Sequence, residues 1–273
     1  MIDTLYVSDL DGTLLTGDIR ITDRTKDIIN GLSGRMHFTV ATARSAQSAL
    51  PLIRGLELSL PLILHNGVLV MDPHRGECLR KQTIRSGTAL EIIDAFRSNG
   101  INPLVYTYRA EGNRVLYHPR QSSAQEHYIR DRISRGDTRF LECADYSALD
   151  DIITVVGLDG FDTLDRIKAC IESVDGVHIQ FSKDLYFDYH WLEITHAEAT
   201  KLHGVRFLKE YLGAQRVVCF GDHLNDLGLF EASDYRIAVA NAVPELKERA
   251  DLVIGGNNEN AVAEYLNGLF SAK

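Results

Sequence analysis

The stretch Asp9-Leu10-Asp11-Gly12-Thr13-Leu14 follows directly on the apolar segment Leu5-Tyr6-Val7, which we expect to be a short buried strand. Side chains alternate between the two faces of a strand, so Asp9 and Asp11 can point the same way where this strand ends. Gly12 then lets the backbone bend sharply. Two carboxylates ~4 Å apart at an effective dielectric of ~20 repel by about 4 kcal/mol. The pair therefore favours a divalent cation, although Asp and Gly are also common in ordinary turns.

A second apolar run, from His37 to Ala41, gives way to Thr42-Ala43-Arg44-Ser45 before a predicted helix. Thr42 would stand at the carboxyl end of a strand. Its hydroxyl and the following amides could hold a phosphate oxygen there, because the N-terminus of a helix favours anions. Taken alone, Thr42 is more typical of an ordinary strand residue.

A third strand-like run, from Arg216 to Phe220, ends in Gly221-Asp222 and is followed by Asn225 and Asp226. If a helix begins at Asp222, these polar side chains share one face near the positive end of its dipole. The preferences of helix starts would explain the acids without any function. They do not explain the glycine that brings a strand so close to them.

Lys201 lies at the start of a predicted helix that ends near Tyr211. Most lysines on helices are solvated surface charges, so this residue means little by itself. Lys201 becomes informative because it occurs together with the three segments in which a strand ends in acidic or polar residues.

In this order, the four segments resemble the haloacid dehalogenase superfamily, and in particular its Cof-type branch of sugar-phosphate phosphatases. The resemblance is carried by DLDGTLL from Asp9, Thr42-Ala43-Arg44, Lys201 and GDHLND ending at Asp226. It is extended by Leu64-His65-Asn66-Gly67 and by the stretch from Ala238 to Lys247.

Two positions depart from the usual pattern of the family. Ala43 stands where the family commonly has glycine, and Leu202-His203 separates Lys201 from Gly204. Neither departure removes a reacting group, but both concern the geometry of the phosphate pocket.

The order of elements predicts an α/β fold. Short apolar strands alternate with helical stretches up to about Arg80 and again after about Trp191, which is typical of a mostly parallel sheet covered by helices. Between these parts, a helix followed by paired strands appears roughly twice. We therefore expect a Rossmann-like, doubly wound core formed by residues 1–83 and 191–273, with an inserted α+β cap over residues 84–190.

The resemblance implies that the cap determines substrate specificity. Hydrogen-bonding aromatic residues of the insert are candidates for sugar contacts, although each is more typical of a core or surface residue. These candidates are His178, Tyr186, Tyr189 and His190. A strand is also expected over Leu185–Tyr189.

The resemblance further implies a Mg²⁺-dependent phosphatase that forms an aspartyl phosphate. Asp9 would be the nucleophile, and Asp11 would be the general acid and base. Mg²⁺ would be bound by Asp9, Asp222 and the backbone carbonyl of Asp11, with Asp226 as a weaker or indirect ligand. Contacts to the phosphate or the substrate are expected from Gly12, Thr42, Ala43, Arg44, Lys201 and Asn225.

Three other functions are compatible with parts of this pattern. A phosphomutase would use the same phosphorylated aspartate but return the phosphoryl group to a sugar. A receiver-like signalling module also uses acids, a threonine, a lysine and Mg²⁺, but such modules are shorter and need no large insert. A binding protein that has lost turnover would not need the intact Asp9 and Asp11 pair.

Composition restricts the partners. The chain has 273 residues, enough for two domains, with 29 basic and 38 acidic residues and a net charge of −9. This balance argues against nucleic acid as a partner and leaves a small phosphorylated metabolite possible. The oligomeric state stays open.

The cysteine pattern and the apolar runs indicate where in the cell the protein is expected. The four cysteines form no CxxC pair and indicate reduced, structural thiols rather than a zinc site. No signal-peptide pattern and no apolar stretch long enough to span a bilayer is evident, so we expect a cytoplasmic protein without a membrane partner.

Overall fold

The computed structural model describes residues 2–109, 112–184 and 187–271. The chain divides into two compact units. The first unit comprises Met1–Lys81 and Ala199–Lys273, and the second unit comprises Gln82–Glu198. The second unit therefore starts close to residue 84 but extends past residue 190, the boundary expected from the sequence.

The strands are, in chain order, β1 Thr4–Ser8, β2 His37–Val40, β3 Leu62–Leu64, β4 Leu69–Met71, β5 Cys78–Lys81, β6 Leu104–Arg109, β7 Gly112–Tyr117, β8 Phe140–Glu142, β9 Ile152–Asp159, β10 Val177–Lys183, β11 His190–His196, β12 Arg216–Gly221, β13 Tyr235–Ala238 and β14 Leu252–Val253.

The α-helices are α1 Asp23–Gly31, α2 Ala46–Ala49, α3 Ser86–Ser98, α4 Ser123–Ser134, α5 Phe161–Ile171, α6 Lys201–Leu212, α7 Leu227–Glu231, α8 Pro244–Lys247 and α9 Ala261–Ser271. Short 3₁₀ turns occur at His65–Gly67, Leu224–Asp226 and Asn257–Glu259. Among the described residues, no helix is long and apolar enough to cross a membrane.

The main sheet of the first unit has the order β14-β13-β12-β1-β2, and all of its strand pairs are parallel. Leu5, Tyr6 and Val7 of the interior strand β1 are all buried, as parallel sheets covered on both faces require. The chain places β2 on one side of β1 and β12 on the other, so the direction of winding reverses at β1. This arrangement confirms the predicted doubly wound α/β fold, whose ligands usually bind at such a reversal point.

A small antiparallel sheet, β3-β4-β5, follows in the first unit. Its first turn runs through His65 and Asn66, both with positive φ (49° and 55°), and Gly67 at φ 104°. A Cβ on Gly67 would lie 2.1 Å from the carbonyl oxygen of Thr200, just before α6. Glycine therefore lets this turn pack directly against the start of the helix that carries Lys201.

The second unit contains one six-stranded sheet with the order β10-β11-β9-β6-β7-β8. Its strand pairs are antiparallel except for β7 with β8. Val155 packs in one core with residues of α3 and α5, whereas the adjacent Val156 packs in another with Ile129 of α4. Because side chains alternate along β9, helices cover both faces. This agrees with the α+β insert expected from the sequence.

The strand predicted over Leu185–Tyr189 is wrong for residues 187–189. Leu185 and Tyr186 lie outside the described residues, Phe187 falls in a bend, and the strand begins at His190 instead. The side chain of Asp184 accepts the N–H of Phe187 at 2.9 Å.

The close packing of the second unit generates a stability prediction. A Cβ on Gly157 of β9 would lie 2.3 Å from Cε1 of Phe96, so we expect Gly157→Ala to reduce the free energy of unfolding by about 1–3 kcal/mol. Gly87→Ala is the matched control, because no atom lies within 4 Å of its added methyl group. In the first turn of α3, alanine should raise stability by roughly 0.5–1 kcal/mol. Urea unfolding of both variants measures these shifts, and equal effects would contradict the packing argument.

Candidate active site

Three neighbouring parallel strands end at one edge of the main sheet. Asp9 directly follows β1, and its N–H donates to the carbonyl of Phe220 at 2.9 Å. Thr42 lies two residues beyond β2, and Asp222 directly follows β12. Because β2, β1 and β12 are adjacent and parallel, the structure brings these three residues to the same edge.

Gly12 shapes the turn that follows β1. Asp11 is extended (φ −72°, ψ 122°), and Gly12 takes a positive φ of 76°. A Cβ on Gly12 would lie 2.2 Å from Oδ2 of Asp222, so a side chain has no room there. Asn241 also donates to the Gly12 carbonyl at 2.8 Å. The glycine therefore lets the backbone of the turn approach a carboxylate of the neighbouring strand.

Lys201 joins two of the predicted acids. Its Nζ donates to Oδ1 of Asp9 at 2.5 Å and to Oδ1 of Asp226 at 2.6 Å. The side chains of Lys201 and Asp226 are fully buried, and that of Asp9 is 6% exposed. Burial by itself would lower the pKa of Lys201, but the two carboxylates outweigh it and hold this pKa above its usual value. Lys201 is therefore a buried cation and not a solvated surface charge.

Three carboxylates form a cluster around this lysine. One oxygen from each of Asp9, Asp222 and Asp226 lies within 4.8 Å of the others. Burial raises the pKa of Asp9, against the opposing effect of Lys201. Burial, followed by repulsion from Asp226, also raises the pKa of Asp222 to about 6. One lysine cannot balance all three acids when they are ionised, so a further cation would favour the ionised form of the cluster.

The oxygens of the cluster differ in what they already bind. Oδ1 of Asp226 accepts from Lys201, and its Oδ2 accepts the N–H groups of Asp222 and His223 at 3.0 and 3.2 Å. Oδ1 of Asp222 accepts the hydroxyl of Thr13 at 3.1 Å. Within the described part of the chain, Oδ2 of Asp9 and Oδ2 of Asp222 accept no hydrogen bond. The donor set fits a hard divalent cation held by Asp9 and Asp222, because Mg²⁺ uses oxygen ligands and few protein carboxylates.

A helix that begins at Asp222, the condition considered from the sequence, does not form. After β12, a 3₁₀ turn covers Leu224–Asp226, and α7 begins only at Leu227. The side chain of Asp226 closes this turn on the backbone of Asp222. A Cβ on Gly221 would lie 2.8 Å from Cβ of Asp226, so this glycine allows the buried acid to fit against the strand. The predicted helix dipole therefore does not explain the position of the acids.

The segment after β2 is organised by Arg44. Thr42 is fully buried, and its hydroxyl oxygen accepts the N–H of Arg44 at 3.1 Å. Nε and Nη2 of Arg44 donate to Oδ2 and Oδ1 of Asp11 at 2.7 and 2.6 Å. Ala43 is exposed. The structure thus joins Arg44 to the predicted acid and base.

Asn225 is exposed, and its amide nitrogen lies 3.5 Å from Oδ1 of Asn66. Thr13, Asn66 and Asn241 also border the site, although none of them was predicted as a site residue from the sequence. Thr13 belongs to the first segment, and Asn66 precedes a glycine in a turn, so both could have been found from their positions. Asn241 gave no comparable signal, because its contact with Gly12 depends on the tertiary fold.

The candidate cap residues lie in different surroundings. Tyr186 lies outside the described residues. The ring of His190 packs against those of Phe161 and Phe181, which also contact each other, and this favours a structural role. His178 is exposed on β10.

Comparisons with known proteins agree with this fold. A family model described as haloacid dehalogenase-like hydrolase matches residues 6–266. A Haemophilus influenzae protein with a provisional phosphatase name is 28% identical over 275 residues, covering 96% of this chain and 97% of that protein. The 5-amino-6-(5-phospho-D-ribitylamino)uracil phosphatase YitU of Bacillus subtilis is 24% identical over 271 residues, covering 98% of this chain and 97% of its own.

A crystal structure of a Thermotoga maritima protein is also similar, with a TM-score of 0.78 and 25% identity. The similarity covers 98% of this chain and 97% of that one. The family match spans nearly the whole sequence, including the four segments that carry the predicted site. The chain therefore belongs to the haloacid dehalogenase-like hydrolase family, in the Cof-type phosphatase branch that its sequence resembles.

Proposed function

We propose that this enzyme hydrolyses monophosphate esters of small metabolites, including sugar phosphates, through a phosphorylated Asp9. The observation that carries the proposal is the bridge from Lys201 to Asp9 and Asp226, beside the Asp222 carboxylate, whose Oδ2 accepts no hydrogen bond from the described residues. The name of the B. subtilis relative specifies a phosphorylated ribitylamino compound, which supports a small phosphorylated metabolite as substrate.

Asp9 is the proposed nucleophile. One of its oxygens attacks phosphorus, and the bond between phosphorus and the ester oxygen breaks. The carboxyl group of Asp11 gives its proton to the departing ester oxygen, which leaves as an alcohol. Water then attacks the phosphorus of the aspartyl phosphate and gives a proton to the Asp11 carboxylate. The bond between phosphorus and Asp9 breaks, which releases inorganic phosphate and restores both side chains.

The reaction requires positive charge, because an anionic carboxylate must approach an anionic phosphate. Lys201 is buried against Asp9 and supplies one such charge. Asp9 and Asp222 would hold Mg²⁺, with the backbone carbonyl of Asp11 as a further ligand. When bound, Mg²⁺ stabilises negative charge on phosphoryl oxygens. Asp226 already has both oxygens engaged, so its proposed role is to orient Lys201 and the turn after β12.

Polar groups at the sheet edge would bind the remaining phosphoryl oxygens. The Thr42 hydroxyl accepts a bond from Arg44, which leaves its own hydrogen free to donate. Gly12 and Ala43 would contribute backbone N–H groups, and Asn225 would contribute its exposed side-chain amide. These contacts position the ester without forming covalent bonds.

Two alternatives use parts of the same site. A phosphomutase would transfer the phosphoryl group from Asp9 back to a sugar hydroxyl, and a binding protein would hold the ester without cleaving it. Sustained release of inorganic phosphate from a simple monoester distinguishes hydrolysis from both.

Substitution of Asp9 tests the proposed nucleophile. The wild-type protein should release inorganic phosphate from sugar phosphates and an aryl phosphate with Mg²⁺, and chelation should stop this release. Asp9→Asn should lower the rate by roughly 10³-fold or more, because the nucleophile is lost. Circular dichroism checks that the variant folds. Near-normal turnover by folded Asp9→Asn would refute the proposed nucleophile.

Binding of Mg²⁺ can be tested without measuring enzyme activity. Mg²⁺ should raise the melting temperature of the wild-type protein, because a ligand that binds the folded state stabilises it. Asp222→Asn should remove most of this shift, whereas Asp23→Asn, which changes an exposed acid on α1, should retain it. An undiminished shift in Asp222→Asn would show that the cation binds elsewhere.

Substitution of Lys201 tests how much its positive charge stabilises the buried acids. Lys201→Met leaves Asp9 and Asp226 buried without their cation, so unfolding in urea with chelator should show a loss of about 3–5 kcal/mol. Lys209→Met, on the same helix, removes a partly exposed pair with Asp234 at 3.1 Å. This control should lose less than about 1 kcal/mol. Similar losses in the two variants would mean that Lys201 has no special role in stability.

A further inference from the structure

Arg44 forms an ion pair with Asp11, the proposed proton donor. Two parallel hydrogen bonds of 2.6 and 2.7 Å join the guanidinium to both carboxylate oxygens. Such a two-pronged pair fixes the plane of a carboxylate as well as its position. Within the described residues, the side chain of Asp11 has no other hydrogen bond. Arg44 therefore determines where this carboxylate points.

Both the backbone and the guanidinium of Arg44 form further hydrogen bonds. Its backbone N–H donates to the Thr42 hydroxyl at 3.1 Å, and its Nη1 donates to Oγ of Ser48 at 3.3 Å. The Arg44 side chain is 24% exposed, whereas that of Asp11 is 48% exposed. Without this partner, Asp11 would be a half-exposed carboxylate free to rotate beside the turn at Gly12. The arginine links the strand end of β2 to the residue proposed to transfer the proton.

We propose that Arg44 is a positioning residue that orients the Asp11 carboxyl group for proton transfer, and not a ligand of the phosphoryl group. This inference rests on the proposed function. It departs from the role expected from the sequence, where Arg44 was a phosphate or substrate contact. A proton donor must come within about 2.6–3.2 Å of the atom that receives the proton. A carboxylate that rotates freely spends little time in that geometry.

The pair is compatible with both states of the proposed proton transfer. With the proton on one oxygen of Asp11, the other oxygen can still accept from the guanidinium. The proton moves to the departing ester oxygen in the first step and returns to Asp11 from water in the second. Arg44 itself gains and loses no proton in either step.

The chemistry of the leaving group separates positioning from phosphate binding. An alkoxide is a poor leaving group and needs a proton from Asp11, whereas a nitrophenolate leaves without one. The value of kcat/KM reports the steps up to the departure of this group. Loss of positioning should therefore damage alkyl phosphates more than nitrophenyl phosphate. Loss of a phosphate ligand should damage both esters equally.

The experiment measures kcat/KM for Arg44→Gln on a series of alkyl and aryl phosphates with Mg²⁺. We expect a loss of about 10²-fold or more for sugar and alkyl phosphates, because general acid catalysis contributes about 10²–10⁴-fold. We expect a loss below roughly 3-fold for nitrophenyl phosphate, and the inhibition constant of inorganic phosphate should change by less than roughly 2-fold. A uniform loss across the series, or weaker inhibition by phosphate, would overturn the inference.

Arg44→Lys tests whether the two-pronged geometry matters, and it decides the question if Arg44→Gln does not fold. Lysine keeps the charge but cannot form two parallel bonds to one carboxylate. We expect the same selective loss on alkyl phosphates, with phosphate inhibition retained. Full activity of Arg44→Lys on alkyl phosphates would show that orientation by the guanidinium is not required.

Two controls separate this effect from general damage. Arg236→Gln breaks a comparable pair, in which Nε and Nη2 bind Asp251 at 2.9 and 2.8 Å, and should keep the wild-type dependence on the leaving group. In an Asp11→Asn background, Arg44→Gln should add little further loss, since the group it orients is already absent. An additive loss in that double variant would contradict the inference.

The outcomes also distinguish this inference from the proposed function. If the wild-type protein cleaves esters but the variants show no selective loss, only the role of Arg44 fails. If the wild-type protein releases no phosphate from any ester in the series, both fail.

Discussion

The buried contact between the Lys201 ammonium and the carboxylates of Asp9 and Asp226 is the interaction on which the site depends. Lys201 and Asp9 are separated by 192 positions, and the bond between them joins α6 to the end of β1. Removing three charges from water is costly, and this cost is offset only when all three are paired at short distance. The ion cluster therefore constrains β1, α6 and the turn after β12 at once. The proposed nucleophile is held where positive charge is already present.

Glycines make this charge cluster sterically possible. Gly12 lets the first turn approach Asp222, Gly221 leaves room for the side chain of Asp226, and Gly67 lets a neighbouring turn contact the residue before Lys201. In each case an added Cβ would lie less than 3 Å from another atom. The charges can approach because the backbone around them carries no side chains at these points. The electrostatic contacts of this site therefore depend on the absence of side chains at these three glycines.

The geometry divides chemically similar residues between different tasks. Among the described residues, Oδ2 of Asp222 accepts no hydrogen bond, whereas Asp226 uses both oxygens to hold Lys201 and the local backbone. Asp9 contacts a buried lysine, whereas Asp11 is turned toward an arginine. Burial and hydrogen-bond partners differ at each position, and on this basis we propose four different roles for the four aspartates: nucleophile, proton carrier, metal ligand and support. Residue type alone does not assign these tasks.

The amino-acid sequence by itself determined the α/β class, the doubly wound parallel sheet and the family, because these follow from local periodicity and from the order of short segments. The helix from Lys201 and the strand ends at Asp9 and Asp222 were predictable for the same reason. Tertiary structure decided the partners: Lys201 with Asp226, Arg44 with Asp11, and Asn241 with Gly12. It also decided that a tight turn, and not a helix start at Asp222, positions these acids, because the Asp226 side chain accepts the N–H of Asp222. Such contacts join residues distant in the chain or depend on burial, and local pattern specifies neither.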